Sequence, residues 1–374
     1  MSLVAQLAAA AVAAPLILFS SATEPVGGPV LGTVSRPVVS SGAGVPELPE
    51  VEAAAWLVAD AETGDVLAAY DAHVQLPPAS TIKLLTALAV LPAIDVNRTY
   101  TASEENGHVE GSRVGMVPGE DYSVADLKHG LFLASGNDAA HGLAELAGGL
   151  PASIELMNAE AARLGAFDTH AVTPHGLDEA GQVSSAYDLA LFGRAVLADA
   201  ELAEIAQTRA YNFPGLDGAT FQIQNQNRLL GSYDGAIGLK TGYTTEAGHT
   251  LVAAAERDGV RLIVTVLGAD GRGEPVAAAL LDWGFAAAGT AEPVGVLVTP
   301  EDVAAAAAQE AQMDEAVAGT PAPESDHGSV GDASGITLVT GVPSWWPIGV
   351  TGLAALSLLA LALRRRRSRG RYAA

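Results

Sequence analysis

The 374-residue sequence contains no cysteine. Disulfide bonds, thiolate nucleophiles and cysteine-ligated metal sites are therefore excluded. The eight histidines are scattered without the close spacing of metal-ligand motifs, so we predict no metal site and no cofactor.

Positive charge is also scarce. The chain has 19 Lys and Arg residues against 43 Asp and Glu residues, for a net charge of −24. The arginines at positions 364–367, 369 and 371 lie beyond the last acidic residue, so the rest of the chain is more acidic still. Such a surface repels nucleic acid and anionic lipid headgroups, and we predict no nucleic-acid partner. A locally basic pocket would still admit a substrate of mixed charge.

Three short motifs follow one another along the chain. They are Ser80-Thr81-Ile82-Lys83, Ser135-Gly136-Asn137 and Lys240-Thr241-Gly242. A serine hydroxyl is a weak nucleophile until a base takes its proton, and a lysine three residues away on one helical face can do so when its amine is neutral. A lysine begins near a pKa of about 10.4. Burial and the charge of Lys240 therefore have to lower the pKa of Lys83.

Hydrophobic patterns predict one folded domain over residues 50–288. Strands are predicted in two hairpins, 53–59 with 66–70 and 249–255 with 261–267. Helices are predicted at 80–94, 124–134, 139–150, 152–164, 185–197 and 276–285. The first of these helices carries Ser80 and Lys83 in its first turn. The order of the elements indicates that both ends of the domain form one antiparallel sheet around a helical insertion.

The first 22 residues predict a secretory signal peptide. An apolar stretch over 7–19 is followed by Ser20-Ser21-Ala22, a small-x-small pattern suited to cleavage after Ala22. No Lys or Arg precedes the apolar stretch, and an uncleaved membrane helix is the alternative for this segment. Residues 23–49 are rich in Pro, Gly, Val and Ser, which predicts a flexible leader.

Residues 343–363 predict a transmembrane helix, because an apolar helix of that length rises about 30 Å, the thickness of a bilayer core. Trp345 and Trp346 stand at one boundary, and an arginine cluster opens the basic tail 364–374 at the other. This arrangement favours a single-pass protein of the cell membrane with a cytoplasmic tail and an exported catalytic domain. Residues 289–342 are alanine-rich, then rich in Pro, Gly, Ser and acidic residues, and predict a stalk.

The motifs resemble those of the penicillin-recognising serine enzymes, and in detail those of the D-alanyl-D-alanine carboxypeptidases of the low-molecular-weight penicillin-binding protein class. The similar segments, all within 50–288, are 78–87, 135–140, 173–178, 238–244 and 281–285. The resemblance implies a mixed α/β (α+β) fold of the β-lactamase/transpeptidase-like type. In that fold an antiparallel sheet is flanked by helices and carries a helical subdomain.

The resemblance also implies roles for the first two motifs. Ser80 would be the acylated nucleophile and Lys83 the base that activates it. Ser135 would relay a proton to the leaving D-alanine. Asn137 would hold the amide of the substrate and keep Lys83 in place.

The third motif would bind the substrate. Lys240 would supply positive potential, and Thr241, beside Gly242, would bind the terminal carboxylate. The backbone N–H groups of Ser80 and Tyr243 would form the oxyanion hole. The resemblance suggests two further candidates. They are Arg272, near the place of a carboxylate-binding arginine in related carboxypeptidases, and His175, in the loop 173–178 beside the site.

The resulting prediction is a serine-type D-Ala-D-Ala carboxypeptidase that trims peptidoglycan stem peptides and is covalently inhibited by β-lactams. A β-lactamase on the same scaffold and a non-catalytic penicillin-binding or sensor module are the alternatives. Against the β-lactamase, Gly136 stands where those enzymes typically carry aspartate, and residues 173–178 lack a Glu-x-x-x-Asn run. Against the sensor, only a short arginine-rich tail follows the predicted anchor.

Overall fold

A central antiparallel sheet organises residues 24–40 and 42–318, the part of the chain that this computed structural model describes. Side chains are described up to residue 313. The strands, in chain order, are β1 (Pro37–Val39), β2 (Ala55–Asp60), β3 (Asp65–Tyr70), β4 (Thr99–Thr101), β5 (Asp121–Ser123), β6 (Ala210–Pro214), β7 (Thr220–Gln224), β8 (Ala236–Thr244), β9 (Gly248–Arg257), β10 (Val260–Ala269) and β11 (Gly295–Val296).

The main sheet has the order β1-β3-β2-β10-β9-β8, with β11 also paired to β3. The strand pairs β2-β3 and β9-β10 confirm the two predicted hairpins. Strand β2 pairs with β10, in a register that places Val58 opposite Val264. The two ends of the domain therefore do meet in one antiparallel sheet, as the order of elements predicted.

Helices cover both faces of the sheet. In chain order, the helices of the described residues are α1 (Lys83–Val90), α2 (Glu104–His108), α3 (Val124–Phe132), α4 (Asn137–Leu146), α5 (Leu150–Leu164), α6 (Ala186–Ala198), α7 (Ala200–Gln207), α8 (Leu229–Ser232), α9 (Gly273–Ala287) and α10 (Pro300–Ala318). Alternate residues of a strand point to opposite faces. Leu57 of β2 accordingly joins the core that contains α1 and α6, whereas Trp56 and Val58 join the core beneath α9.

Four helices between the hairpins confirm the predicted ones with shifted ends, and they are α3, α4, α5 and α6. Local capping sets where two of them begin. Ser123 and Ser185 accept hydrogen bonds from the N–H groups of Asp126 and Asp188, three residues on. α9 confirms the predicted last helix and is longer than predicted at both ends.

The predicted helix over 80–94 is divided into three parts in the structure. A 3-10 turn, Ala79–Ile82, precedes α1, and a second 3-10 turn, Leu91–Ala93, follows it. Pro78 immediately precedes the first turn, and Pro92 lies within the second. Ala79 is left-handed at φ 49°, a conformation that costs about 1–3 kcal/mol for a residue other than glycine. Ser80 therefore stands on a tight turn rather than in an α-helix, and Lys83 remains one turn away.

The leader predicted for 23–49 is packed against the domain. β1 pairs with β3, with Val38 opposite Ala69, and Leu31 is buried. A strand edge that carries unpaired N–H and C=O groups accepts even a three-residue partner. The flexible leader is thus a wrong prediction for this part of the chain, because composition alone does not reveal such a partner.

Part of the stalk predicted for 289–342 also belongs to the domain. β11 pairs with β3, and the next residue, Leu297, is fully buried. The side chain of Arg194 holds this segment, because Nη1 donates to the carbonyl of Leu297 at 3.0 Å. The segment continues into α10, whose described side chains are largely exposed.

Within residues 24–40 and 42–318, the helices are too short or too polar to cross a bilayer. The predicted signal peptide 1–22, transmembrane helix 343–363 and tail 364–374 lie outside these residues.

Candidate active site

Six of the predicted site residues line one cavity of about 520 Å³. They are Ser80, Ser135, Thr241, Gly242, Tyr243 and Arg272. Three others, Lys83, Asn137 and Lys240, are buried, each with an exposed fraction of 1–2 %. The side chain of His175 is not part of the cavity lining. The three motifs, far apart in sequence, are therefore brought to one place.

Lys83 Nζ has three oxygen neighbours. Ser80 Oγ lies at 2.9 Å, Asn137 Oδ1 at 2.7 Å and the backbone carbonyl of His175 at 2.6 Å. The three contacts come from the turn before α1, from the start of α4 and from the loop 173–178. The amine is therefore fixed in position beside the serine hydroxyl.

The electrostatic surroundings favour a neutral Lys83. Burial lowers its pKa well below the ordinary value, Lys240 lowers it further, and Asp138 acts in the opposite direction. Burial also lowers the pKa of Lys240, to about 7. The first motif can supply a base only if the amine of its lysine is neutral, and a buried lysine with a lowered pKa meets that requirement.

The second motif spans the turn before α4 and the first residue of that helix. Ser135 has a φ of 57° and is almost fully buried. Asn137 uses both ends of its side-chain amide inside the protein, because Oδ1 accepts from Lys83 and Nδ2 donates to the carbonyl of Glu110 at 2.6 Å. Its contact with Lys83 is therefore present, whereas a contact with the amide of a substrate stays a prediction.

The third motif brings β8 alongside the nucleophile. A Cβ atom added to Gly242 would lie 2.8 Å from Ser80 N and 2.4 Å from Thr250 Oγ1, so only glycine lets the strand approach this closely. Lys240 Nζ donates to the carbonyl of Thr241 at 2.8 Å. Tyr243 is 60 % exposed. The backbone of β8 thus borders the amide of Ser80, where the predicted oxyanion hole requires it.

The loop 173–178 supports the site through its backbone. The hydroxyl of Thr86 donates to the carbonyl of Pro174 at 2.7 Å, which ties the loop to α1. Burial, followed by the charges of Lys83 and His141, lowers the pKa of His175 to about 4, so its imidazole is neutral at physiological pH. His175 was predicted as a candidate from its side chain, and its visible contribution is the carbonyl that holds Lys83.

Replacing Gly176 with alanine is expected to slow acylation by on the order of 100-fold, the effect of a misplacement of about 1 Å. Its φ is +90°, and an added Cβ would lie 2.0 Å from the carbonyl oxygen of Ala79 and 3.0 Å from Ser80 N. The acylation rate with a fluorescent penicillin measures the effect. Gly119→Ala is the matched control, because φ is +88° there and no atom lies within 4 Å of the added Cβ. Equal losses in both variants would contradict a specific clash with the nucleophile turn.

Several residues that line the cavity were not predicted from the sequence. They are Ser112, Gln224, Asn225, Gln226, Arg228 and Glu274. The amide-rich run 222–227, followed directly by Arg228, was the available signal. Together with Arg272, Arg228 gives the lining two guanidinium groups, which suit a substrate carboxylate. Across the described part of the chain, no three His, Asp or Glu side chains are grouped so that they could hold a metal ion.

The chain is similar in sequence to proteins of known family. The profile of peptidase family S11, described as D-alanyl-D-alanine carboxypeptidase, matches residues 43–271. The carboxypeptidase DacB2 of Mycobacterium tuberculosis is 45 % identical over 251 residues, which are 65 % of this chain and 86 % of DacB2. DacD of Escherichia coli is 40 % identical over 256 residues, and the match spans 64 % of either chain, less than two thirds of DacD.

Solved structures show the same fold. The crystal structure of a D-alanyl-D-alanine carboxypeptidase from Mycobacterium tuberculosis has a TM-score of 0.65 and 43 % identity, and the match covers 69 % of this chain and 99 % of that one. Penicillin-binding protein 6B from Escherichia coli has a TM-score of 0.59 and 37 % identity, covering 66 % and 82 %. A Streptomyces DD-transpeptidase has a TM-score of 0.61 and 28 % identity, covering 64 % and 100 %.

Proposed function

The chain belongs to the D-alanyl-D-alanine carboxypeptidase family of serine peptidases, and from this premise we propose that it removes the terminal D-alanine of peptidoglycan stem peptides through an acyl-enzyme on Ser80. One observation carries the proposal. Lys83 Nζ lies 2.9 Å from Ser80 Oγ while two other oxygens occupy its remaining directions.

A neutral amine has two N–H bonds and one lone pair. Asn137 Oδ1 and the carbonyl of His175 can only accept hydrogen bonds, so they take the two N–H groups of Lys83. The lone pair is then left for the third neighbour, the hydroxyl of Ser80. Lys83 accepts the proton of that hydroxyl as Oγ attacks the carbonyl carbon of the penultimate D-alanine.

The attack places a negative charge on the former carbonyl oxygen. The N–H groups of Ser80 and Tyr243 are proposed to receive it, since β8 runs beside the amide of Ser80 at Gly242. The terminal carboxylate of the substrate would lie against Thr241 and Arg272, both on the cavity lining, with Lys240 behind them. These groups orient the scissile bond toward Ser80.

Collapse of the tetrahedral intermediate breaks the C–N bond, and the proton taken from Ser80 passes through Ser135 to the amine of the leaving D-alanine. Water then hydrolyses the ester, which returns a proton to Ser80 and releases the shortened peptide. A β-lactam undergoes the same attack, but its leaving amine stays tethered to the acyl group. The same site should therefore be acylated covalently by penicillins.

The proposed function is tested with diacetyl-Lys-D-Ala-D-Ala. Release of D-alanine, together with penicilloylation of Ser80, supports the proposal. Rapid turnover of a β-lactam without D-alanine release would show a β-lactamase instead. Stable penicilloylation without release of D-alanine would show a non-catalytic binding module.

The location of the enzyme is a further part of the proposal. The apolar segment 343–363 between a tryptophan pair and an arginine cluster supports a single-pass anchor, and residues 1–22 support export. The full chain is expected in the membrane fraction with its catalytic domain accessible to protease outside the cell. A variant truncated after residue 342 is expected in the soluble fraction. Recovery of both forms in the cytoplasm would overturn this assignment.

A further inference from the structure

Asp138, the residue after Asn137, is fully buried. Its carboxylate accepts four backbone N–H hydrogen bonds. The donors and distances are Val114 at 2.9 Å, Gly115 at 2.9 Å, Met116 at 3.2 Å and Ala139 at 2.9 Å. Three of the four come from one segment, so the carboxylate pins residues 114–116 to the start of α4.

The preceding residue ties the same segment to α4 from the other side. The backbone N–H of Asn137 donates to the carbonyl of Ser112 at 2.7 Å, and its Nδ2 donates to the carbonyl of Glu110 at 2.6 Å. The contact with Glu110 determines which way the amide of Asn137 faces, and hence that Oδ1 points to Lys83. Since Ser112 lines the cavity, the segment 110–116 both orients the partner of Lys83 and forms a wall of the site.

Two glycines make this arrangement possible. Gly111 has a φ of +83°, and an added Cβ would lie 2.7 Å from Asn137 Nδ2. A Cβ added to Gly136 would lie 2.6 Å from Asp138 Oδ1 and 3.1 Å from Val114 N. The segment therefore fits against α4 only when both positions lack side chains.

We propose that Asp138 is a positioning residue of the active site. Its buried carboxylate holds residues 114–116 against α4 and thereby fixes Asn137, which in turn holds Lys83 in position to activate Ser80. The proposal rests on the proposed acyl-enzyme mechanism. It adds a residue that touches neither the substrate nor the reacting atoms.

The charge of Asp138 also distinguishes this role from a purely structural one. Two charged groups change the pKa of Lys83, namely Lys240 of β8 and Asp138 of α4. In the loop 173–178, the charges of Lys83 and His141 lower the pKa of His175. Asp138 raises the pKa of Lys83 against the larger effects of burial and Lys240. Loss of the carboxylate charge should therefore allow Lys83 to stay neutral at lower pH.

The first test is Asp138→Asn. The amide oxygen of asparagine can replace one carboxylate oxygen, but its NH₂ group would face the remaining backbone N–H donors. We expect the rate of penicillin acylation to fall by about 10- to 100-fold, as for a small misplacement of a catalytic group. The acidic limb of the pH-rate profile should move to lower pH. A fluorescent penicillin and stopped-flow or gel detection measure both quantities.

The second test is Gly136→Ala, which displaces the carboxylate without removing its charge. This variant should also acylate slowly, but with its acidic limb where the parent has it. Asp126→Asn is the matched control. Asp126 accepts from Ser123 N at 2.9 Å and from the hydroxyl of Tyr211 at 2.7 Å, away from the segment 110–116. It should lower the thermal unfolding temperature and leave the acidic limb unchanged.

Acylation of Asp138→Asn within twofold of the parent, with an unmoved acidic limb, overturns the inference, as does an equal shift in Asp126→Asn. If Asp138→Asn does not fold, Gly136→Ala decides, and a parental acylation rate in that variant overturns the inference. Absence of acylation in the parent itself would instead overturn the proposed function.

Discussion

Replacing Ser80 with alanine is expected to abolish penicilloylation and to lower D-alanine release by on the order of 10⁶-fold, as measured for loss of the nucleophile in a serine protease. The hydroxyl of Ser80 lies 2.9 Å from Lys83 Nζ and is the proposed nucleophile. Intact-mass spectrometry after incubation with benzylpenicillin measures the adduct, and D-alanine release from the diacetylated tripeptide measures turnover.

The control for this experiment is Ser153→Ala. Ser153 is buried away from the cavity lining, and its hydroxyl donates to the carbonyl of Ala144 at 3.0 Å, within the helical part of the domain. This variant should be acylated at the parental rate. An adduct on Ser80→Ala, or an adduct mapped to another residue of the parent, would remove the basis of the proposed mechanism.

Replacing Lys83 with methionine is expected to lower the acylation rate by about 10⁴-fold, the upper end of the range for a general base. Methionine fills similar space but cannot take the proton of Ser80. Lys83→Arg places a permanent cation near Asn137 and His175, and a guanidinium that stays protonated in this pH range cannot accept the proton of Ser80. It should be equally inactive, and activity in this variant would show that charge, rather than proton transfer, is the contribution of Lys83.

The pH dependence of the parent follows from the same residue. Burial and Lys240 lower the pKa of Lys83, so the amine is neutral well below its ordinary range. Acylation should fall on the acidic side of the profile, where Lys83 becomes protonated, and this limb should lie well below the ordinary pKa of lysine. A single limb beginning near the pKa of a free lysine, about 10.4, would contradict the assignment.

The lowered pKa of Lys83 should also make the free energy of unfolding depend on pH. The folded pKa of Lys83 lies below the unfolded value, so unfolding takes up a proton at any pH between the two. The associated stability is complete above about pH 10.4 and is lost as the pH falls toward the folded pKa. The free energy of unfolding should therefore rise with pH more steeply in the parent than in Lys83→Met.

The features that could be predicted from sequence are mostly local or strongly patterned. Ser80 and Lys83 lie within one turn, so their proximity follows from their spacing, and the two hairpins follow from apolar runs around glycine turns. The convergence of the three motifs came from the resemblance rather than from spacing. The role of His175 could not be predicted, because a backbone carbonyl carries no side-chain signature.

Asp138 illustrates a second limit. Its neighbours in the motif identified the segment, but a carboxylate that binds the backbone 22–24 residues earlier in the chain becomes visible only in three dimensions. The structure also gives a physical reason for Gly136. A side chain there meets Asp138 Oδ1 at 2.6 Å, so the aspartate typical of β-lactamases at this place would crowd a second carboxylate.

The outer edge of β3 has a practical consequence. β1 pairs with residues 68–70 of this strand, and β11 pairs with residues 65–66. Segments from the start and the end of the domain therefore cover one edge of the sheet together. A recombinant fragment limited to residues 50–288 would keep every motif yet leave that edge bare, ready to join the same edge of another molecule. Fragments for crystallisation or inhibitor screening should therefore begin before residue 29 and end after residue 298.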